Sequence, residues 1–159
     1  MSNRQRILFV CTGNSCRSQM AEAWARALLR EYVEPYSAGV AVSELDPHAV
    51  QVMQETGIDI TAQPSKSIVS LPAVPFDCVV TLSDRAQAQA AAYWHPDRLL
   101  HAGLPAPKRL PPQTPTDDGL AQYRQIRDEI RCIVERLGIS RTLSLESAER
   151  IQLRQGTAA

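Results

Sequence analysis

From Ile7 to Cys11 the chain runs apolar without a break, ILFVC, and then turns small and polar at Thr12, Gly13, Asn14 and Ser15. Five residues are too few for a buried helix and suit a central strand of a parallel sheet, covered on both faces. From Ser18 the period changes. Met20, Ala23, Trp24, Ala27 and Leu28 recur at steps of three and four, which predicts an amphipathic helix to about Tyr32. Val33 to Ala38 reads as a second strand ended by Gly39. Asp46 followed by Pro47 is an N-cap with proline at the first helical position, and the helix it opens carries Val50, Met53 and Gln54 before Gly57 closes it. "FDCVVTLS", residues 76–83, is the second strongly buried strand, and "DRAQAQAAAYW" after it is helical by its alanine and glutamine content. "RLLHAGL", residues 98–104, predicts a fourth strand. A proline-rich loop from Pro105 to Pro115 then leads into a helix from about Asp117 to Leu137, with Leu120, Tyr123, Ile126, Ile130, Ile133 and Leu137 on one stripe.

Strands alternating with helices predict an α/β fold, a parallel sheet between two helical layers, with its site beyond the carboxyl ends of the strands. Cys11 stands at one of those ends. At 159 residues the chain suits one domain, placed at residues 1–138, large enough to bury roughly 70% of its unfolded surface. Residues 139–159 are read as an extension in which Leu143, Leu145, Ala148, Ile151 and Leu153 allow one further short helix.

Charge and cysteine content narrow the chemistry. Seventeen basic residues balance seventeen acidic ones, so no general field attracts nucleic acid or an anionic membrane, and any anion affinity must be local. The apolar run near the N-terminus breaks at Thr12, too early for a signal peptide or a membrane span. The expectation is a cytoplasmic monomer. The four cysteines, Cys11, Cys16, Cys78 and Cys132, form no disulfide framework, no C-x-x-C pair and no zinc set. Cys78 and Cys132 are read as core residues.

A strand, a turn of small polar residues and a helix together build an anion cradle, because backbone N–H groups of the turn and of the first helical turn converge and the helix dipole adds positive charge. Gly13 and Asn14 tolerate the positive φ such a turn requires. Thr12, Gly13, Asn14, Ser15, Cys16 and Arg17 would then bind the oxyanion, with Arg17 offering its planar fork to two oxygens. Cys11 at the floor is the nucleophile; cysteines in such places have pKa values of roughly 3.5–7.5 against about 8.5 when free. Ser18 would donate a hydrogen bond to the sulfur and assist it later as a leaving group. Cys16 is read as packing, with a secondary thiol role as the alternative.

These residues also carry a resemblance. "FVCTGNSCRSQMAE" resembles the phosphate-binding loop of the low-molecular-weight protein tyrosine phosphatase superfamily, and "SQMAE" after the arginine resembles its arsenate reductase branch. The likeness continues through "YSAG", "GIDI", "VVTL", "HAGLPAP" and "YRQIRDEI", over about residues 5 to 137. It implies a four-stranded parallel sheet of order 2-1-3-4. It implies attack by Cys11 on phosphorus or arsenic while Arg17 and the loop amides hold the oxyanion. It also implies a potassium position at Asn14, Glu22 and Ser37. Pro64 and Lys66, however, fall where other members supply oxygen ligands, so no resident metal is expected.

Two departures shape the functional expectation. The family's general-acid aspartate falls on Ala106, and an acid of that kind contributes on the order of 10²–10⁴ in rate. His101, Asp117 and Asp118 are the nearby titratable groups, each more simply a loop or cap residue. The first relay cysteine of thioredoxin-coupled arsenate reductases falls on Ser83, and residues 84–94 contain no cysteine. A reductase on this chain therefore needs an external thiol from a glutathione, mycothiol or thioredoxin/glutaredoxin system, and no tightly bound cofactor. Three readings stand: an arsenate reductase using Cys11, a phosphatase acting on phosphotyrosine or a related ester, and a non-catalytic module binding an oxyanion or a phosphoprotein. A phosphotyrosine substrate would want aromatic walls, for which Trp24, Trp94 and scattered tyrosines are the candidates.

Overall fold

The computed structural model describes residues 4–108, 110 and 117–139. Four strands, β1 (Gln5–Cys11), β2 (Val33–Gly39), β3 (Cys78–Thr81) and β4 (Leu99–His101), form one parallel sheet in the order β2-β1-β3-β4. The helices are α1 (Arg17–Leu28), α2 (Pro47–Gln54), α3 (Asp84–Ala90) and α4 (Asp117–Ile139).

The alternation of β1 explains why an unbroken apolar run is needed. Ile7, Phe9 and Cys11 face one core with Met20, Ala23 and Trp24 of α1, Val52 and Met53 of α2, and Ile126, Ile130 and Val134 of α4. Leu8 and Val10 face a second, smaller core with Ile68, Phe76 and Ala86. A strand buried on both faces has no polar side to alternate with. Each such side chain contributes about 1.5–3 kcal/mol by burial. The layers are tied by polar bonds as well: Tyr123 Oη donates to the N-cap carboxylate of Asp46 at 2.7 Å, and Trp24 Nε1 donates to the Arg127 carbonyl at 3.2 Å.

Register brings the carboxyl ends level. Cys11 pairs with Gly39, Val10 with Thr81, and Thr81 with His101. Every loop leaving that edge can reach the residues after Cys11.

Several elements are shorter than their patterns predict. Helix α1 stops at Leu28 rather than near Tyr32, because Tyr32 and Val33 both turn back to the Leu29 carbonyl so that the chain can enter β2. Helix α3 stops at Ala90, and the turn after it lays Trp94 against Phe76 at 6.3 Å between ring centroids. Strand β4 keeps three residues of the predicted seven, although Ala102 and Leu104 still donate to Thr81 and Leu82. Cys132 corrects the core reading: it is exposed on α4, off the apolar stripe, whereas Cys78 is buried. The reading of residues 140–159 as an extra helix lies outside the described residues.

Candidate active site

The segment from Cys11 to Ser18 is the strand end, turn and helix start that the pattern foresees. Asn14 takes the left-handed conformation, at φ 51°, and is the one non-glycine residue to do so among those described. The loop carbonyls of Cys11, Thr12, Gly13 and Ser15 accept hydrogen bonds from the amides of Val40, Ala41, Ser43 and Asp46. Turning the carbonyls outward turns the amides the other way. Among the described residues, no backbone N–H from Gly13 to Ser18 donates to a protein oxygen, and the start of α1 has no side-chain cap. Such a row of orphan donors at a helix N-terminus calls for an anion.

Gly39 makes the arrangement possible. A Cβ there would lie 2.7 Å from Asn14 N, 2.8 Å from Gly13 C and 2.9 Å from Thr12 O, all backbone atoms that cannot swing aside.

The side chains converge on the same point. Ser18 Oγ lies 2.8 Å from Cys11 Sγ, and Asn14 Nδ2 donates to that hydroxyl oxygen at 2.7 Å. With the oxygen already accepting, the hydroxyl hydrogen is left for the sulfur. Arg17 is 8% exposed. Its Nη1 donates to the carbonyls of Leu104 at 2.8 Å and Leu82 at 3.4 Å. No carboxylate among the described residues pairs with it, and its Nε and Nη2 bond to none of them. A buried guanidinium held only by carbonyls is a charge awaiting its counter-ion.

A cavity of about 620 Å³ opens over Thr12 and Arg17 and is bounded by Ser83, Asp84, Arg85, His101 and the stretch from Gly103 to Ala106. Cys11 is buried one residue from this wall. Ala106 therefore does reach the site. His101 reaches it too, its Nδ1 2.8 Å from Thr81 Oγ1 and its Nε2 3.3 Å from Asp84. Asp117 and Asp118 do not: both sit exposed at the start of α4, where Asp117 meets Arg124 at 3.8 Å. Neither tryptophan lines the cavity; Trp24 lies under Arg131, and Trp94 packs on Phe76 and Tyr93. Ser83 caps α3 and accepts from Thr12 Oγ1 at 3.1 Å.

Two of the other thiols are buried. Cys16 is in the large core, where burial, reinforced by Asp46 and Cys11, raises its pKa well above the usual thiol value. Cys78 is pushed up to about 12, mainly by burial and then by Asp77. Both are held as neutral thiols.

The residues implied as a potassium position do gather, but they hold something else. Lys66 Nζ donates to the Pro64 carbonyl at 2.8 Å and lies 3.4 Å from Ser37 Oγ and 3.8 Å from Glu22 Oε1. Asn14 Oδ1 is taken by the Lys66 N–H at 2.7 Å and by Gln19 Nε2 at 3.2 Å. A second cation among these oxygens would stand against an ammonium, and like charges at that range repel strongly. The donor set does not fit a resident metal ion.

Sequence reasoning missed the supporting shell: Gly39, the amides of 40–46, the carbonyls of Leu82 and Leu104, and the Gln19–Gln63 pair behind Asn14. Only Gly39, a glycine at a strand end, left a trace. Backbone amides and carbonyls carry no residue signature.

A parallel sheet of order 2-1-3-4 with a Cys-x₅-Arg oxyanion loop at its carboxyl edge defines a class, and the chain belongs to it: the low molecular weight phosphotyrosine protein phosphatase family, matched over residues 6–147. Within that class it is 38% identical, over 128 residues, to an arsenate reductase of Halalkalibacterium halodurans, covering 80% of this chain and 91% of that protein. A solved arsenate reductase in its oxidised state superposes with a TM-score of 0.71 at 28% identity, covering 87% of this chain and 99% of the other. A low molecular weight protein tyrosine phosphatase from T. tengcongensis superposes at 0.65 with 29% identity, covering 84% and 97%. No helix among the described residues is long and apolar enough to cross a membrane.

Proposed function

We propose that the protein is an arsenate reductase in which Cys11 is the nucleophile and a cytoplasmic thiol is the reductant. The observation that carries the reading is the buried, carboxylate-free Arg17 beside a row of unsatisfied loop amides and the Ser18-bonded sulfur of Cys11. The Cys11 thiolate attacks arsenic, an S–As bond forms, and an arsenate oxygen leaves as water after taking up protons. A thiolate then attacks the sulfur of the adduct. The S–As electron pair departs with arsenic, which is reduced from As(V) to As(III) as arsenite, and Cys11 is left in a mixed disulfide. A second thiol frees it. Ser83 in the place of the first relay cysteine, the burial of Cys16 and Cys78 as neutral thiols, and the position of Cys132 on α4 away from the Arg17 cavity all support a resolving thiol from outside the chain.

The same cradle would hold phosphate, so a phosphatase is the second reading. Two features weigh against it: Ala106 offers no proton to a leaving oxygen, and among the described residues no Phe, Tyr or Trp lines the cavity to receive a phosphotyrosine ring. Turnover of arsenate and of para-nitrophenyl phosphate, each with glutathione, mycothiol or thioredoxin, decides the matter. The expected result is arsenite formation that needs one of these thiols and disappears in Cys11→Ser. Hydrolysis of the ester without arsenite formation would establish the phosphatase reading instead, and phosphate binding with neither activity the binding module.

A further inference from the structure

Lys66 is not an incidental surface lysine. Its ammonium is partly buried and bridges three parts of the fold: Glu22 on α1, Ser37 in β2, and the Pro64 carbonyl in the strap that crosses the loop. The Glu22 carboxylate is 5% exposed and has two cations, Lys66 at 3.8 Å and the half-exposed Arg26 at 3.6 Å. Burial pulls Lys66 below the ordinary lysine value, and the Glu22 carboxylate pushes it back up.

The strap that the ammonium secures is the one that holds Asn14. Ser65 Oγ donates to the Asn14 carbonyl at 2.9 Å, the Lys66 N–H donates to Asn14 Oδ1 at 2.7 Å, and Gln19 Nε2 joins Asn14 to the Pro64 carbonyl at 3.1 Å. The strap is pinned at its other side by Gly39 N–H on the Lys66 carbonyl at 2.8 Å. From Asn14 the contacts run to Ser18 Oγ and on to Cys11 Sγ. An unbroken chain of bonds therefore links the ammonium to the nucleophile. Asn14 is also the residue held in the left-handed region, which asparagine tolerates but adopts less readily than glycine.

We propose that the Lys66 ammonium serves as a tethered monovalent cation, holding the strap so that Asn14, Ser18 and Cys11 keep their oxyanion-binding arrangement without a free metal ion. The proposal rests on the reading of the Cys11–Ser18 loop as an oxyanion cradle. Lys66 acts as a positioning residue: it works through Asn14 and touches no substrate.

The test is chemical rescue. Lys66→Ala keeps both backbone bonds of residue 66 and removes the ammonium together with its methylene stem. Phosphate affinity is measured by calorimetry, and thermal stability alongside it, with choline, potassium or ammonium as counter-cation at equal ionic strength. The wild type is expected to bind phosphate equally in all three. Lys66→Ala should lose about tenfold in choline, in line with the loss of an outer support of a binding site, and regain it in ammonium or potassium. The double variant Lys66→Ala, Glu22→Gln should lose the rescue. Three results would overturn the proposal: wild-type affinity that rises with potassium, a Lys66→Ala protein that binds as wild type in choline, or a loss that neither cation restores. Failure of the cradle reading looks different, because wild type and Arg17→Ala would then share a negligible affinity. In that case the melting temperature of Lys66→Ala still decides: a rise specific to ammonium or potassium supports the tethered cation, and its absence overturns it.

Discussion

Ala106 carries the sharpest consequence of a single side chain. It lines the cavity with Arg17, between Pro105 and Pro107, and falls where the family resemblance puts the general-acid aspartate. Ala106→Asp should therefore raise aryl phosphatase turnover, by something like 10²-fold. The gain should shrink for esters with good leaving groups and vanish when Cys11→Ser is added, since no covalent intermediate can then form. The flanking prolines restrict the backbone alike with either side chain, so folding should be preserved. Steady-state rates across a leaving-group series are the measurement; a uniform absence of gain would mean that residue 106 does not reach the reacting oxygen. Cys11, Arg17 and Ser18 could be named from the sequence because strand, turn and helix start are adjacent in the chain. The partners of Arg17 could not. Leu82 and Leu104 contribute only carbonyls, and their approach is fixed by the pairing of β3 with β4.

At the scale of elements, the end of β2 matters as much as the loop itself. Gly39 sits across from Cys11 in the ladder, and its missing Cβ is what lets residues 12–14 pass over it. Gly39→Ala should displace the loop, weakening phosphate binding at least tenfold in calorimetry and lowering the melting temperature by a few degrees, as overpacking against unyielding atoms costs about 1–3 kcal/mol. Gly57→Ala is the matching control. That glycine is strained for alanine by its φ of 82° but has open space around it, so stability should fall while affinity stays. The order of strands and helices was legible in the periodicity, because an unbroken run marks a strand buried twice and a three-four step marks a helix buried once. Element ends were not. Where α1, α3 and β4 stop depends on turns such as Tyr32 and Val33 to Leu29, and on Trp94 finding Phe76, which are tertiary decisions. Cys132 was misplaced for a related reason: an apolar residue type on an amphipathic helix says nothing by itself about which side it occupies.

Taken whole, the molecule surrounds one parallel sheet, and its loop is complete only when β2 and the residues after it are in place. The amides of Val40, Ala41, Ser43 and Asp46 hold the loop carbonyls, although none of these four residues lines the cavity. An anion that stabilises the loop therefore also stabilises those four bonds, by mass action on every opening that would break them. In deuterium exchange followed by mass spectrometry, saturating phosphate should slow exchange across residues 40–46 and leave the outer turns of α4 unchanged; equal exchange with and without phosphate would uncouple the segment from the site. The segment thus becomes a remote gauge of occupancy. A molecule screened against the cavity could be scored by the silence of amides it never meets, even where it causes no turnover and carries no chromophore.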